Sequence, residues 1–360
     1  MQLTLFVPEL LWPEPDDHPA LADAATPALN ALLARGCLTS APSQTTEAAL
    51  CALFCHKPST SVSALRRLDE FDEFNEWGDE NLSNDIQREL CADPVHLKFH
   101  DERLILADST QCRITPDEAA QLIAALNKEL SETGRFRAAS TEHWYFLPAN
   151  ALSLLEALPV SAVTGRHVGQ ILPDILIDRQ WRQTLNAIQT VLHAHPINQH
   201  RAANGMMSIN SLWLWGDGDA PRPQARTFAT VWSDLSLVRG LARHAEADSV
   251  ARPHDATLLQ LAGTDDADHL VVLDDLAAPV RYDDGEAWQQ ALASLEAHWF
   301  APLRAQLAAG KLDRLSILSP TAHGLLRWDC RRRDLWMLWR QPKSLSDIAH
   351  RAAQAAKEPE

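Results

Sequence analysis

His195 to Gly218 reads HPINQHRAANGMMSINSLWLWGDG, and the rest of the chain is organised around this stretch. A helix rich in Leu, Ile and His runs into Pro196, and a polar turn carries Asn198, His200 and Arg201 to Gly205. An apolar strand, Ile209 to Trp215, then ends in Gly-Asp-Gly. That order predicts a βα-type unit whose strand end presents polar groups, and strand ends of an α/β sheet are where ligands sit. Arg201, with Asn198 and Asn210, can hold an anion, because a guanidinium matches carboxylate or phosphate geometry. The same three residues can equally cap the helix end and pin the turn.

Working outward, 360 residues exceed one simple core and imply two domains. Lys plus Arg, 32, against Asp plus Glu, 48, leaves a net charge of -16. Such a surface repels a nucleic-acid backbone, so no nucleic-acid partner is expected. The one basic run, Arg331-Arg332-Arg333, reads as a solvated turn between two strands. The amino-terminal stretch lacks the basic start and long apolar run of a signal peptide, and no apolar run reaches spanning length. The expectation is a cytoplasmic protein with no membrane partner and six reduced cysteines. Cys51, Cys55 and His56 could suggest a metal, but an i, i+4 pair in an Ala/Leu helix reads better as core thiols.

In chain order, Leu3 to Val7 is a buried strand, and TPALNALLARG (Thr26 to Gly36) a helix with Pro at its start and Gly at its stop. A second helix opens at Ser43 to Phe54, where Thr45 or Thr46 is either a nucleophile or a plain N-cap. Leu65 to Glu89 is an acidic connecting segment. From Cys91 the chain reads strand, turn, strand, then a helix opened by Thr115-Pro116-Asp117-Glu118. Asp93 and His96 on the first of these strands are candidates for proton donation or ligand contact, or are hydrogen-bonded edge residues. Phe136 to Leu147 is one further strand, and the helix Trp181 to Ala194 returns the chain to its first domain. The last third alternates strands (Thr230 to Asp234, His269 to Asp274, Asp313 to Leu318) with helices Leu237 to His244 and Glu286 to Leu307. Two aromatic strands, Leu325 to Asp329 and Leu335 to Arg340, and a frayed tail close it.

The spacing Asn198, Arg201, Gly205, Asn210, Gly216, Gly218 resembles the Asn-x-x-Arg, Gly, Ala-Asn, Arg-Gly-x-Gly run of archaeal-type cofactor-independent phosphoglycerate mutases, with Trp215 standing where those enzymes look to have Arg. The order of elements from Cys91 to Asn127 is similar to the start of their inserted substrate domain. HPIN-x-x-R, INSLWLWG, CADPVHL and WFAPL resemble the RpfE-type bacterial regulatory proteins more closely. The resemblance implies an α/β, alkaline-phosphatase-like doubly wound sheet with a smaller inserted α+β domain. It places the discontinuous core at 1–90 and 179–345, the inserted domain at 91–178 and a flexible tail at 346–360.

It also implies a two-metal centre that neutralises phosphoryl oxygens and activates a hydroxyl. Here the resemblance and the residues disagree. The first strand ends Val7-Pro8-Glu9 without an Asp-Gly, Asp274 and Asp275 close a late strand without the partner His, and His323 is out of register. The first expectation is therefore a degenerate, non-catalytic binding or regulatory protein without a metal, taking a small anionic metabolite or a protein partner. A second is an active manganese- or magnesium-dependent mutase or phosphohydrolase using Thr45 or Thr46, Glu9, Asp274, Asp275 and His323. A third is a scaffold whose Trp213, Trp215, Trp328, Trp336 and Trp339 pack a core or, if exposed together, face a partner.

Overall fold

Long-range strand pairing divides the chain into two compact units, Met1–Cys55 with Pro223–Glu360, and His56–Arg222. They are seen in a computed structural model that describes residues 1–14, 25–71, 88–100, 103–150, 152–165, 178–222, 224–259 and 267–357. The acidic run beyond Phe71 falls largely outside the described residues. Among those described, no helix is long and apolar enough to cross a membrane.

The first unit holds β1 (Gln2–Phe6), β2 (Cys37–Ala41), β8 (Thr230–Trp232), β9 (Asp248–Val250), β10 (Asp268–Val272), β11 (Arg314–Thr321) and β12 (Gly324–Arg331). They form one sheet in the order β2-β12-β11-β1-β10-β8-β9. β1 pairs in parallel with β10 and β11, and β8 with β10 and β9, while β12 and β2 run antiparallel at one side. Leu3, Leu5, Val271, Leu315 and Ile317 enter one core, and the alternate residues Phe6, Leu270, Val272 and Leu318 are buried too. Burial of both alternations explains the continuous apolar runs of these strands, because a parallel sheet is covered on both faces.

The expected helix Pro27–Arg35 forms, but Thr26 makes no side-chain cap. Glu296 supplies it instead: its carboxylate accepts from Ala28 N at 2.7 Å and Leu29 N at 3.0 Å. The long helix expected over Glu286 to Leu307 is Gly285–Leu295, a π turn Glu296–Phe300 and Ala301–Ala308. The wider turn re-aims its side chains, burying Trp299 and Phe300 while Glu296 meets the neighbouring helix. Leu335 to Arg340 is not a strand. The outer side of β12 is already taken by β2, so this segment leaves the sheet as a 3-10 turn, Arg332–Trp336. The tail is not frayed either: Leu345–Lys357 is a helix whose Leu345 and Ala349 enter the core.

The second unit contains β3 (Leu90–His100), β4 (Arg103–Ala107), β5 (Gly134–Ala138), β6 (Trp144–Pro148) and β7 (Ser211–Trp215). The sheet order is β4-β3-β6-β5, with β7 also paired to β3, all antiparallel. Phe136 to Leu147 is thus a hairpin rather than one strand. The capping box expected at Thr115 is present: Thr115 Oγ1 accepts from Glu118 N, and Glu118 Oε2 from Thr115 N at 2.9 Å. Helices Pro116–Glu129 and Arg179–Ala194 supply Leu122, Leu126, Leu185, Ile188 and Leu192 to its core.

The unit boundaries differ from 91 and 178. β7 pairs with β3 from Trp215 opposite Cys91 to Ser211 opposite Val95, so the helix Arg179–Ala194 and everything to Gly218 belong to the second unit. Gly216, at φ +78°, and Gly218 end this stretch. A Cβ on Gly218 would lie 2.4 Å from Ser59 O, where Asp219 pairs with Thr60.

Candidate functional site

Asn198, Arg201 and Asn210 sit on or beside the helix Pro196–Ala203; the two asparagines are spent on the backbone, and Arg201 on the backbone and a carboxylate. Asn198 donates to Leu192 O at 2.8 Å and Ile209 O at 2.7 Å, and accepts from Ile209 N at 2.7 Å. Asn210 accepts from Leu97 N and donates to Leu97 O, both at 2.8 Å, which fixes β3 beside the turn. Arg201, 2% exposed, donates through Nη1 to both Glu118 carboxylate oxygens at 2.8 Å, through Nε to Met207 O at 2.7 Å, and through Nη2 to Cys112 O. Glu118 therefore caps its own helix and occupies the place an anion would take on Arg201. Its carboxyl is desolvated, which raises its pKa, but the Thr115 N–H and Arg201 outweigh this and hold it below the usual range. The strand following this stretch belongs to an antiparallel sheet, so it has no parallel-sheet strand end at which to present these groups.

Asp93 and His96 lie in the same unit but have different surroundings. His96 Nδ1 donates to Ser208 O at 2.8 Å. Asp93 anchors a buried network that the sequence did not reveal. Arg66 donates to both its oxygens, at 3.1 and 2.9 Å, and Trp215 Nε1 donates to Oδ2 at 2.7 Å. Trp215, noted above for standing where Arg was expected, thus supplies one neutral donor to a carboxylate that Arg66 neutralises. Arg66 Nε reaches Tyr145 Oη at 3.0 Å, Tyr145 donates to Glu70, and Glu70 meets His143 Nδ1. Burial pushes the Glu70 carboxyl up, yet His143, Arg66 and Tyr145 together hold it below 4.5. Arg66 and Glu70 share one face of the helix Val62–Glu70. Only the pairing of that helix with β3 and β6 shows why.

The other candidates fall at the carboxyl-end edge of the sheet in the first unit. Glu9 follows β1 at φ 57°, with its carbonyl accepting from Trp288 Nε1 at 3.1 Å. Thr45 is the N-cap of Thr46–Leu53, accepting from Ala48 N at 3.2 Å, as the plainer of its two readings has it. Thr46 opens that helix, and His323 lies in the β11–β12 hairpin, its N–H donating to Thr321 Oγ1.

Asp274 and Asp275 follow β10, and Asp234 follows β8. All three surround Arg252, which follows β9. Arg252 Nη1 and Nη2 both donate to Asp275, the second at 3.2 Å; Asp274 Oδ1 lies 3.9 Å from Nη1 and Asp234 Oδ2 3.8 Å from Nε. Desolvation lowers the pKa of this guanidinium, but the three carboxylates outweigh it and the net shift is upward.

These residues do not fit the implied pair of divalent cations. The Arg252 guanidinium already stands among the strand-end carboxylates and holds Asp275 through both Nη atoms, and a metal ion there would face its charge. Among the described residues, no three His, Cys, Asp or Glu side chains are grouped to hold a metal ion. Cys51 is buried and its thiol pushed up to about 12, chiefly by desolvation, whereas Cys55 is exposed.

Residues 91–198 match a family described as 2,3-bisphosphoglycerate-independent phosphoglycerate mutase. The chain is 30% identical over 178 residues to the enzyme of that name from Methanosarcina mazei, covering 47% of this chain and 45% of that one. It is 26% identical over 153 residues to a probable one from Geobacter sulfurreducens, covering 38% of this chain and 36% of the relative. These matches span less than half the length of either relative. They support a relationship to the cofactor-independent mutases. Among solved structures, the cofactor-independent phosphoglycerate mutase of Thermoplasma acidophilum aligns over 98% of this chain and 100% of its own, at 15% identity and a TM-score of 0.42.

Proposed function

We propose that this chain is a degenerate relative of the phosphoglycerate mutases, a regulatory protein that binds an anionic metabolite or a protein partner without metal-dependent turnover. One observation supports this reading above the others: the strand-end carboxylates Asp234, Asp274 and Asp275 converge on the Arg252 guanidinium. An enzyme that activates a hydroxyl with two cations needs those carboxylates free. The half-buried guanidinium offsets one of their charges without supplying an open coordination position, and it cannot lower the pKa of a bound water or hydroxyl as a metal does.

The test is metal content and turnover of the purified full chain with added manganese or magnesium, using 3-phosphoglycerate as substrate. The expected result is substoichiometric metal after desalting and no interconversion above the rate without protein. Retained manganese at one or two ions per chain, with turnover lost in Asp274→Asn, would overturn the proposal and restore the active-enzyme reading.

A further inference from the structure

We propose that the free edge of β2, with the tryptophan-rich turn beside it, is the surface on which a second copy of this chain pairs. Among the described residues β2 is the terminal strand of its sheet, and all five of its residues are exposed, Leu38 by 50%. Edge strands of monomers are blunted by lysine, proline, a bulge or a cover. Cys37-Leu38-Thr39-Ser40-Ala41 carries no such residue. Beside it, Asp329 of β12 pairs with Cys37, and the chain beyond Arg331 runs back past that end. There Arg340 Nη1 donates to Arg35 O at 3.1 Å. This returning segment exposes Trp336 by 72%, Leu338 by 64% and Trp339 by 75%, within a rim of exposed Arg331, Arg332, Arg333 and Arg340. Tryptophan and arginine are the residue types that carry most binding energy at protein interfaces.

The chemistry of the edge favours a second copy as the occupant. Two identical edges related by a twofold axis pair antiparallel, each satisfying the other's N–H and C=O groups. The antiparallel arrangement sets the Trp/Arg end of one β2 beside the Ala41 end of the other, so the two arginine clusters do not meet. The chain continuing from Ala41, Pro42-Ser43-Gln44-Thr45-Thr46-Glu47, carries no basic residue and one carboxylate.

Area decides that both features are needed. A tryptophan side chain buries about 150–250 Å², so the two on each of two copies, each about three-quarters exposed, supply roughly 450–750 Å². A stable interface takes about 1,200 Å² or more, and the strand edges and leucines must supply the rest. The inference is independent of the reading of the Arg252 cluster, since turnover of a phosphorylated acid would leave it standing.

Sedimentation of the full chain under reducing conditions tests it. The expected wild-type species over the micromolar range has twice the 40.0 kDa chain mass. Trp336→Ala combined with Trp339→Ala should weaken the dimer by about tenfold or more. Leu38→Glu, which sets a carboxylate on the edge, should leave monomer, with far-UV circular dichroism unchanged in both variants. A wild-type monomer throughout that range overturns the proposal, as does a dimer that neither variant weakens, because it would use another face. Binding of monomeric wild type to phosphatidylglycerol vesicles, lost in the double variant, would assign the patch to a membrane and overturn it too.

Discussion

Arg201→Met should cost the second unit about 3 kcal/mol, the low end of what breaking a buried ion pair costs. The variant leaves the Glu118 carboxylate without its cation and the Met207 and Cys112 carbonyls without their donor. The low end applies because Glu118 keeps 18% of its side chain in water and retains its Thr115 N–H partner. For a unit the size of His56–Arg222 this loss lowers the unfolding midpoint by roughly 6–12 °C. Thermal unfolding followed by tryptophan fluorescence reads it, since Trp144, Trp181, Trp213 and Trp215 are all buried there. Glu118→Gln keeps a capping acceptor and loses only charge, so it should cost about 1–2 kcal/mol. The double variant should cost less than the sum, because the two changes remove one interaction. A midpoint within about 1 °C of wild type, together with loss of binding to a phosphorylated acid, would refute the reasoning and make Arg201 an anion-holding residue.

Glu296→Ala removes the acceptor for Ala28 and Leu29 N–H, and should destabilise the first unit by about 1–2 kcal/mol in urea unfolding, whereas Glu296→Gln should recover part of it. Equal midpoints for Ala and wild type would contradict the capping role. His269 is 1% exposed, and burial holds its imidazole below the ordinary 6.5. The unfolded chain therefore binds the proton more tightly: stability is full above 6.5 and falls as pH drops through that value. His269→Phe should flatten this dependence, measured as urea midpoint against pH, and an unchanged slope would assign it to other groups.

The element types were legible wherever a local pattern fixed them. Apolar runs gave the parallel strands β1, β8, β10 and β11 of the first unit, because such strands are buried on both faces. Thr115 to Glu118 gave a capping box, because its four residues satisfy each other. Local pattern failed at Leu335 to Arg340, a short apolar run that reads as a strand but finds the side of β12 already occupied by β2. The partners that the fold gives the candidate residues were not foreseen. Arg201 lies 83 positions from Glu118, Arg66 27 from Asp93, and Arg252 23 from Asp275.

Read along the chain, the residues foretold most of the longer helices, the parallel strands at Leu3, Thr230, His269 and Asp313, a division into two units, and a relationship to the mutases that the match over 91–198 supports. Tertiary structure alone decided that the stretch His195 to Gly218 pairs with β3, that Glu118 sits on Arg201, and that Arg252 stands among the strand-end carboxylates. The physical reason is that hydrophobic periodicity is written along the chain, whereas the cost of burying a charge is met by whatever opposite charge the fold brings beside it.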